Sequence, residues 1–203
     1  MIIAVDGPAA SGKGTIAKAL ADHYGLPMLD TGLLYRAVGL TMLRAGLDPA
    51  DESAAVTACA FADAILDDPA IRSEAVGQAA SQASAHPAVR AALLKRQRDF
   101  AVQPSGAVLD GRDIGTVIAP EAQAKLFVTA SAEARAMRRA KEEGGASFDA
   151  ILADIKTRDE RDSGRGAAPL RQADDADLLD TTDLSIGIAV QRAIALVEAR
   201  IRH

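Results

Sequence analysis

The residues near the N-terminus best suited to chemistry are the glycines and the lysine of the segment GPAASGKGT, residues 7–15. Glycines let the backbone curl so that several N–H groups point at one anion, and the Lys13 ammonium adds a positive charge. A loop of this kind binds the phosphates of a nucleotide. A hydroxyl usually follows the lysine directly, but here Gly14 intervenes and the hydroxyl belongs to Thr15.

A phosphate-binding loop needs a strand before it and a helix after it. The apolar run of residues 2–5 precedes the loop, and Ile16, Leu20 and Tyr24 recur at helical spacing until Gly25. Both conditions are met, so we predict a P-loop rather than a ligand-free turn rich in glycine and serine. The predicted ATP-binding residues are Gly7, Pro8, Ala9, Ala10, Ser11, Gly12, Lys13, Gly14 and Thr15.

Strand patterns alternate with helix patterns along the chain, which predicts an α/β fold with a parallel five-stranded sheet flanked by helices. The apolar runs that predict strands are Ile2–Val5, Pro27–Leu29, Ala107–Leu109, Lys125–Val128 and Leu178–Leu179. Residues 51–101 have no strand pattern, and they predict a helical insertion broken at residues 67–69 and 86–87.

In a parallel sheet, ligands bind at the carboxyl ends of the strands. Asp110-Gly111-Arg112-Asp113 follows one predicted strand. A carboxylate there can hold Mg²⁺, often through water, and an arginine can meet a substrate phosphate. We therefore predict Asp110 and Thr15 as metal-binding residues. The alternative is a tight Asp-Gly turn without a ligand.

A helix predicted from Phe148 carries a second group of charged residues. Positions 151, 155, 158, 162 and 165 lie on one helical face and read Ile, Ile, Arg, Asp, Arg. This face points the charged side chains either into a polar cleft or into solvent as a ladder of ion pairs. The glycine-rich segment 163–169 follows directly and resembles a lid, which favours the cleft.

The segment Asp30-Thr31-Gly32-Leu33-Leu34-Tyr35-Arg36 predicts a third cluster at a strand end. Thr31 can cap a helix, and Tyr35 and Arg36 follow one turn later. The chain has only six aromatic residues, so a tyrosine beside an arginine suggests a flat wall for a base. Arg90, considered alone, fits a solvated helix face.

Composition limits the function classes. The chain has 203 residues and a net charge of −5, which argues against a protein that coats nucleic acid. Its one cysteine, Cys59, cannot form an intramolecular disulfide and fits a reducing compartment. No apolar run reaches membrane-spanning length, so we expect a cytoplasmic protein. No side chain stands out as a nucleophile or an obligatory base, which is compatible with phosphoryl transfer.

In sequence, these clusters resemble the bacterial cytidylate kinases, a family of nucleoside monophosphate kinases. The matching segments cover nearly the whole chain, and DGRDIGTV and RDERDSGR are the most specific. The matching segments are VDGPAASGKGT, LDTGLLYR, ASQASAHPAVRAALLKRQR, LDGRDIGTV, IKTRDERDSGRGAAPL and LLDTTDLS. The resemblance implies one P-loop kinase domain over residues 1–203, with a monophosphate-binding insertion at about 31–105 and a lid at about 158–171.

The resemblance also implies roles for individual residues in transfer of the γ-phosphoryl group of Mg²⁺-bound ATP to CMP or dCMP. It places the acceptor phosphate on Arg36, Arg112 and Arg165. It implies that Ser81, Arg90 and Asp113 read the cytosine, and that Thr31, Arg158 and Asp162 lie near the pentose. Lys13 and the arginines at 112, 158 and 165 would stabilise charge on the transferred group.

Two features depart from the usual family pattern. Most members have serine where this chain has Thr31, and residues 63–74 are too short for the strand-containing insertion that members often carry. We therefore expect a reduced, mostly helical acceptor region. Two other functions stay open at this point, namely a P-loop kinase for shikimate, uridylate or adenylate, and a P-loop switch that binds a protein partner. We expect a monomer with nucleotide substrates.

Overall fold

The computed structural model describes residues 1–143 and 147–202, and it contains a five-stranded sheet in the order β2-β3-β1-β4-β5. β1 pairs in parallel with β3 and β4, and β4 pairs in parallel with β5. The strands are β1 Ile2–Asp6, β2 Met28–Asp30, β3 Ala107–Gly111, β4 Ala124–Thr129 and β5 Asp177–Asp180. The predicted α/β fold is confirmed, and each predicted strand is found with its bounds shifted by one or two residues.

Helices fill the connections, as the sequence predicts. They are α1 Lys13–Tyr24, α2 Thr31–Arg44, α3 Glu52–Ala58, α4 Glu74–Ala83, α5 Pro87–Ala101, α6 Ala132–Glu143, α7 Phe148–Gly164 and α8 Ile186–Ile201. Gly25 ends α1 with φ 63°, a left-handed conformation that glycine adopts without strain. The Ser131 hydroxyl accepts a hydrogen bond from Ala134 N at 3.1 Å and so caps α6. The predicted end of α6 at Gly144-Gly145 lies outside the described residues.

β1 lies at the centre of the sheet because the chain places β3 on one side of it and β4 on the other. The carboxyl ends of these three strands therefore meet at one edge. Asp6 pairs in register with Gly111 of β3 and with Phe127 of β4. Every residue of β1 and β3 is buried, as expected for inner strands of a sheet covered on both faces.

The chain divides into two compact units, Asp30–Asp99 and the remainder, Met1–Leu29 with Phe100–His203. The larger unit contains β1, β3, β4, β5 and most of β2. Its core packs α1 and α8 against the sheet through Ile3, Ile16, Leu20, Leu126 and Val197. These side chains are almost fully buried, so the sheet edge that carries the loops rests on a rigid support.

The smaller unit is helical, in agreement with the predicted insertion. Residues 63–74, expected to lack strands, form two short 3-10 helices, Asp63–Asp67 and Pro69–Arg72. Ile71 and Val76 pack there against Ala37 and Leu40 of α2. None of the helices in the described parts of the chain is long and apolar enough to cross a membrane.

Helices α2 and α4 approach each other closely at Gly39. A Cβ at Gly39 would lie 2.8 Å from Ala80 N and 3.1 Å from Val76 O, so the Gly39→Ala variant must push the helices apart. We expect its free energy of unfolding to fall by about 1–3 kcal/mol, although alanine favours helices. Denaturant titration measures this.

The matched control is Gly187→Ala in α8, where a Cβ would meet none of the described atoms within 4 Å. We expect this variant to be as stable as the wild type or slightly more stable. Equal effects of the two substitutions would contradict the steric explanation.

Candidate active site

The segment 7–15 connects β1 to α1 as a tight loop. Gly7 has φ 154°, and a Cβ there would lie 2.0 Å from Val128 O, so only glycine fits this close approach. Gly12 has φ 87° and precedes the first helical residue, Lys13. The first N–H groups of a helix have no partner within the helix, so the N-terminus of α1 offers donors and a positive dipole end to an anion.

Two side chains from outside the loop hold its carbonyl groups. Arg135 of α6 donates to Ala9 O at 3.2 Å, and the Thr181 hydroxyl lies 3.0 Å from Ser11 O. Thr181 follows β5, and Arg138 donates to its hydroxyl at 3.0 Å. Both Arg135 and Thr181 are buried. With its carbonyls bound on this side, the loop keeps its N–H groups available for phosphate.

Lys13 forms an ion pair with the buried Asp110 at the end of β3. The distance from Lys13 Nζ to Asp110 Oδ1 is 2.8 Å, and the Asp110 side chain is only 2% exposed. A Cβ at Gly14 would lie 3.1 Å from the other oxygen, Oδ2. This close approach gives a physical reason for glycine directly after the lysine, because a side chain there would crowd the carboxylate.

Asp6, at the end of β1, holds the loop that follows β3. Its two carboxylate oxygens accept hydrogen bonds from Ile114 N and Gly115 N, both at 2.8 Å. Burial raises the pKa of Asp6 from 3.8 to about 7, against the two backbone hydrogen bonds that lower it, and the negative charges of Asp113 and Asp110 raise it further. Asp113 directly precedes these two N–H groups, so Asp6 fixes its position.

Residues from β3 and α7 come together around Asp162. Arg112 Nε donates to Asp162 Oδ2 at 2.8 Å, and Arg165 Nη2 lies 3.9 Å from Asp162 Oδ1. Arg165 Nε also donates to the Asp162 carbonyl at 3.3 Å. Two of the arginines predicted for the acceptor phosphate are therefore held beside one carboxylate.

The predicted stripe of α7 stays buried along its length. Ile151 and Ile155 are buried, and so are Arg158, Asp162 and Arg165, each less than 10% exposed. The alternative of a solvated ladder of ion pairs is therefore wrong. Arg158 Nε lies 3.1 Å from Asp154 Oδ2. Whether the following segment acts as a lid stays a prediction.

The smaller unit brings together three of the residues predicted for the acceptor. The Arg90 guanidinium lies 5.4 Å from the centre of the Tyr35 ring and donates to Ser84 O at 3.4 Å. Ser84 Oγ in turn donates to the carbonyl of Ser81. Arg90 is only 8% exposed, so the interpretation as a solvated residue is wrong. Sequence spacing cannot show this, because the tyrosine that covers Arg90 is on another helix.

Arg36 and Thr31 also belong to the smaller unit. Arg36 donates to Ile71 O at 2.9 Å and to Ser73 O at 3.2 Å. Thr31 is the first residue of α2 and is buried, and the cap is Asp30, whose carboxylate accepts from Gly32 N at 2.9 Å. The prediction that Thr31 caps the helix is therefore wrong by one residue. The carboxylate of Asp30 takes that role.

The donor groups near the loop suit a magnesium ion that arrives with a nucleotide. Within residues 1–143 and 147–202, no group of three or more His, Cys, Asp or Glu side chains is placed to hold a metal by itself. Mg²⁺ is commonly bound by one or two carboxylates together with phosphates and water. The Asp110 carboxylate at the end of β3 fits this chemistry, and Thr15 is exposed two residues after Lys13.

Asp6, Arg135 and Thr181 are the residues that sequence reasoning left without a role. Asp6 and Thr181 directly end or follow strands, so their position at the binding edge was a usable signal. Arg135 lies inside a helix rich in arginine, where nothing in the spacing separates it from its neighbours. Its role depends on a contact with Ala9, 126 residues away in the chain.

Comparison with known proteins identifies the family. A sequence model described as "Cytidylate kinase" matches residues 3–199. Proteins named cytidylate kinase from Xanthobacter autotrophicus and from a Methylobacterium species are each 60% identical to the chain, with 98% of both chains covered. The resemblance found in the sequence motifs is thereby confirmed.

Solved structures support the fold. A crystal structure of a gluconokinase from Sinorhizobium meliloti matches with a TM-score of 0.54 at 17% identity, covering 98% of this chain and 91% of that one. At this level of identity the likeness concerns the fold alone.

The raised pKa of Asp6 predicts a pH-dependent stability. Between pH 3.8 and about 7 the native protein keeps a proton that the unfolded chain releases, so the contribution of Asp6 to stability is lost as pH rises through this window. We expect the free energy of unfolding of the wild type, minus that of Asp6→Asn, to fall from about pH 4 to about pH 8. Denaturant titrations across this range measure the difference, and a flat difference would contradict the assignment.

Proposed function

This chain belongs to the cytidylate kinase family, and we propose that it transfers the γ-phosphoryl group of ATP to CMP or dCMP, giving CDP or dCDP. The observation that carries the proposal is the phosphate loop with its Lys13–Asp110 ion pair, combined with the arginines held beside Asp162. An oxygen of the acceptor phosphate attacks the γ-phosphorus, and the bond to the ADP oxygen breaks. The charge redistributed in this step needs fixed positive groups around it.

The larger unit supplies the groups for the transferred phosphoryl. The N–H groups of residues 7–15 bind the ATP phosphates, and Lys13 adds its charge to them. Arg112, Arg158 and Arg165 neutralise charge at the transferred group. Asp110 and Thr15 would hold Mg²⁺ together with the nucleotide phosphates, partly through water, and the ion would supply further charge neutralisation. These roles are proposals based on the family resemblance and on the charges of the described residues.

The same family resemblance supplies the residues proposed to bind the acceptor. Arg36, Arg112 and Arg165 bind its phosphate, and Thr31, Arg158 and Asp162 contact the pentose. Cytosine has an amino group that a carboxylate can accept from and acceptors that an arginine can donate to, which suits Asp113 and Arg90, with Ser81 as a third partner. The Arg90 guanidinium lies 5.4 Å from the centre of the Tyr35 ring, so Tyr35 orients the arginine that is proposed to bind the cytosine.

The predicted organisation of the chain is part of the same proposal. The insertion of about 31–105 is proposed to bind the monophosphate, and the segment of about 158–171 is proposed to close as a lid that excludes water. We also propose that the enzyme is a cytoplasmic monomer that binds nucleotides and neither nucleic acid nor membranes. Size-exclusion chromatography with light scattering measures the mass in solution and so tests whether the enzyme is a monomer.

A coupled assay of ADP formation with a panel of acceptors tests the function. We expect turnover with CMP and dCMP to exceed that with UMP, AMP or shikimate by at least about tenfold in kcat/KM. A preference for another acceptor would identify a different small-molecule kinase. ATP hydrolysis that no acceptor stimulates would instead favour a nucleotide-binding switch.

Variants of Asp113 test its proposed role in recognising the cytosine. Loss of its carboxylate removes the acceptor for the cytosine amino group, so Asp113→Ala should lower the preference for CMP over UMP by about tenfold or more. Asp113→Asn keeps the side-chain shape and should lower the preference as well. Equal discrimination in wild type and variants would remove Asp113 from base recognition.

A variant of Arg165 tests the proposed catalytic role of the lid segment. Because Arg165 is buried beside Asp162, Arg165→Ala should lower kcat by roughly a hundredfold while ATP binding, measured by calorimetry, persists. Arg171→Ala, an exposed arginine of the same segment, serves as the control and should keep its turnover. Turnover near the wild-type value in Arg165→Ala would show that the catalytic assignment is wrong.

A further inference from the structure

Arg135 of α6 is a buried arginine that touches three separate parts of the larger unit. Its guanidinium donates Nε to Ala130 O at 2.9 Å, where β4 ends, and Nη1 to Ala9 O of the phosphate loop at 3.2 Å. It also binds both carboxylate oxygens of Asp159 on α7, at 3.0 and 2.6 Å. Arg135 is 4% exposed and the Asp159 side chain is 29% exposed, so these contacts are partly shielded from solvent.

The tip of the phosphate loop contacts the same two helices a second time. Ala10 has φ 59°, a left-handed conformation that costs free energy for a residue other than glycine. It packs against the apolar cluster of Ala136, Ile151 and Ile155, which joins α6 to α7. The loop tip is therefore held by an apolar contact at Ala10 and by a charged hydrogen bond at Ala9.

Asp159 links this contact to the proposed catalytic residues of α7. It directly follows Arg158 and precedes Asp162 by three residues, so any shift of the helix at Asp159 also moves both of these. Arg135 is not among the residues proposed to touch a substrate. It touches the loop that binds the donor and the helix that carries the arginines.

We propose that Arg135, held by Asp159, is a positioning residue that couples the phosphate loop to α7, so that ATP bound at the loop sets the position of the arginines of α7. This inference rests on the proposed function for its kinetic part. Its physical basis is the planar guanidinium, which reaches a carbonyl on one side and both carboxylate oxygens on the other. A lysine keeps the charge but cannot make these contacts together.

The simpler alternative is an ion pair that only joins two helices, and the chain offers a control for it. Glu133 and Lys156 also pair between α6 and α7, at 3.7 Å, but both are more than half exposed. Their ion pair lies between the same helices as the Arg135–Asp159 pair. We expect Glu133→Gln and Lys156→Gln to keep wild-type kinetics, because exposed ion pairs contribute little.

The experiment compares Arg135→Lys, Asp159→Asn and the two controls in steady-state kinetics. We expect kcat to fall about tenfold or more in Arg135→Lys and Asp159→Asn. We expect KM for CMP to rise as well, because Arg158, Asp162 and Arg165 are also proposed to bind the acceptor. Asp159→Asn keeps both backbone contacts of Arg135 and the shape of its own side chain. It therefore decides the kinetic question if Arg135→Lys does not fold.

Amide hydrogen exchange measures the coupling itself. The probe is adenosine 5′-(β,γ-imido)triphosphate at saturating concentration, without an acceptor. In the wild type and the controls we expect it to slow exchange in residues 155–164 of α7. In Arg135→Lys and Asp159→Asn we expect this protection to be lost although the probe still binds.

The outcomes are distinct from those of the function test. Wild-type kcat and protection in Arg135→Lys would show that charge alone suffices, and equal losses in the control variants would show a general loosening of the helix pair. Either result overturns the inference, as does protection absent from the wild type. If CMP is not an acceptor, the exchange experiment still reports the coupling.

Discussion

A phosphate-binding loop can turn its N–H groups toward a ligand only if its carbonyl groups find donors on the opposite side. The rest of the larger unit depends on how this constraint is met. Ala9 O accepts from Arg135, Ser11 O lies beside the Thr181 hydroxyl, and Gly12 O accepts from Ile16 N in the first turn of α1. These donors come from α6, from the end of β5 and from α1. The position of the loop is therefore set by α1, which follows it directly, and by two parts of the chain distant in sequence, α6 and the residues after β5.

Buried charge imposes the second constraint, because an ionised group without a partner in the interior is costly. In the larger unit, three cations of the site are paired with nearby carboxylates. Lys13 pairs with Asp110, and Arg112 and Arg165 share Asp162. Asp6 differs from these ion-paired residues. Its oxygens accept hydrogen bonds from backbone N–H groups, and its pKa rises to about 7. It fixes the chain next to Asp113 and adds no cation to the site.

Local patterns were enough to predict the sheet and the P-loop, and together with the glycine-rich segment after α7 they favoured a cleft over solvent for the charged face of that helix. A phosphate loop must lie between a strand and a helix, and a face that begins at Ile151 and Ile155 has an apolar surface to bury. The cap of α2 at Asp30 and the burial of Arg90 were not predictable in this way. The first depends on a choice between two adjacent capping residues, and the second on a tyrosine 55 residues earlier in the chain. The role of Arg135 was not predicted for the same reason, because its partners lie on three other segments.

The chain has 17 arginines and only 6 lysines, and this excess of arginine also has a structural part. A genome rich in G and C raises the total number of arginines, but it does not explain what the buried and half-buried arginines contact. Arg36 donates to two carbonyls, Arg138 to the hydroxyl and carbonyl of Thr181 and to Thr182 O, and Arg135 to two carbonyls and a carboxylate. A lysine has a single nitrogen and cannot reach acceptors on opposite sides. In phosphoryl transfer, where catalysis rests on position and charge, such arginines fix the geometry even where they touch no substrate.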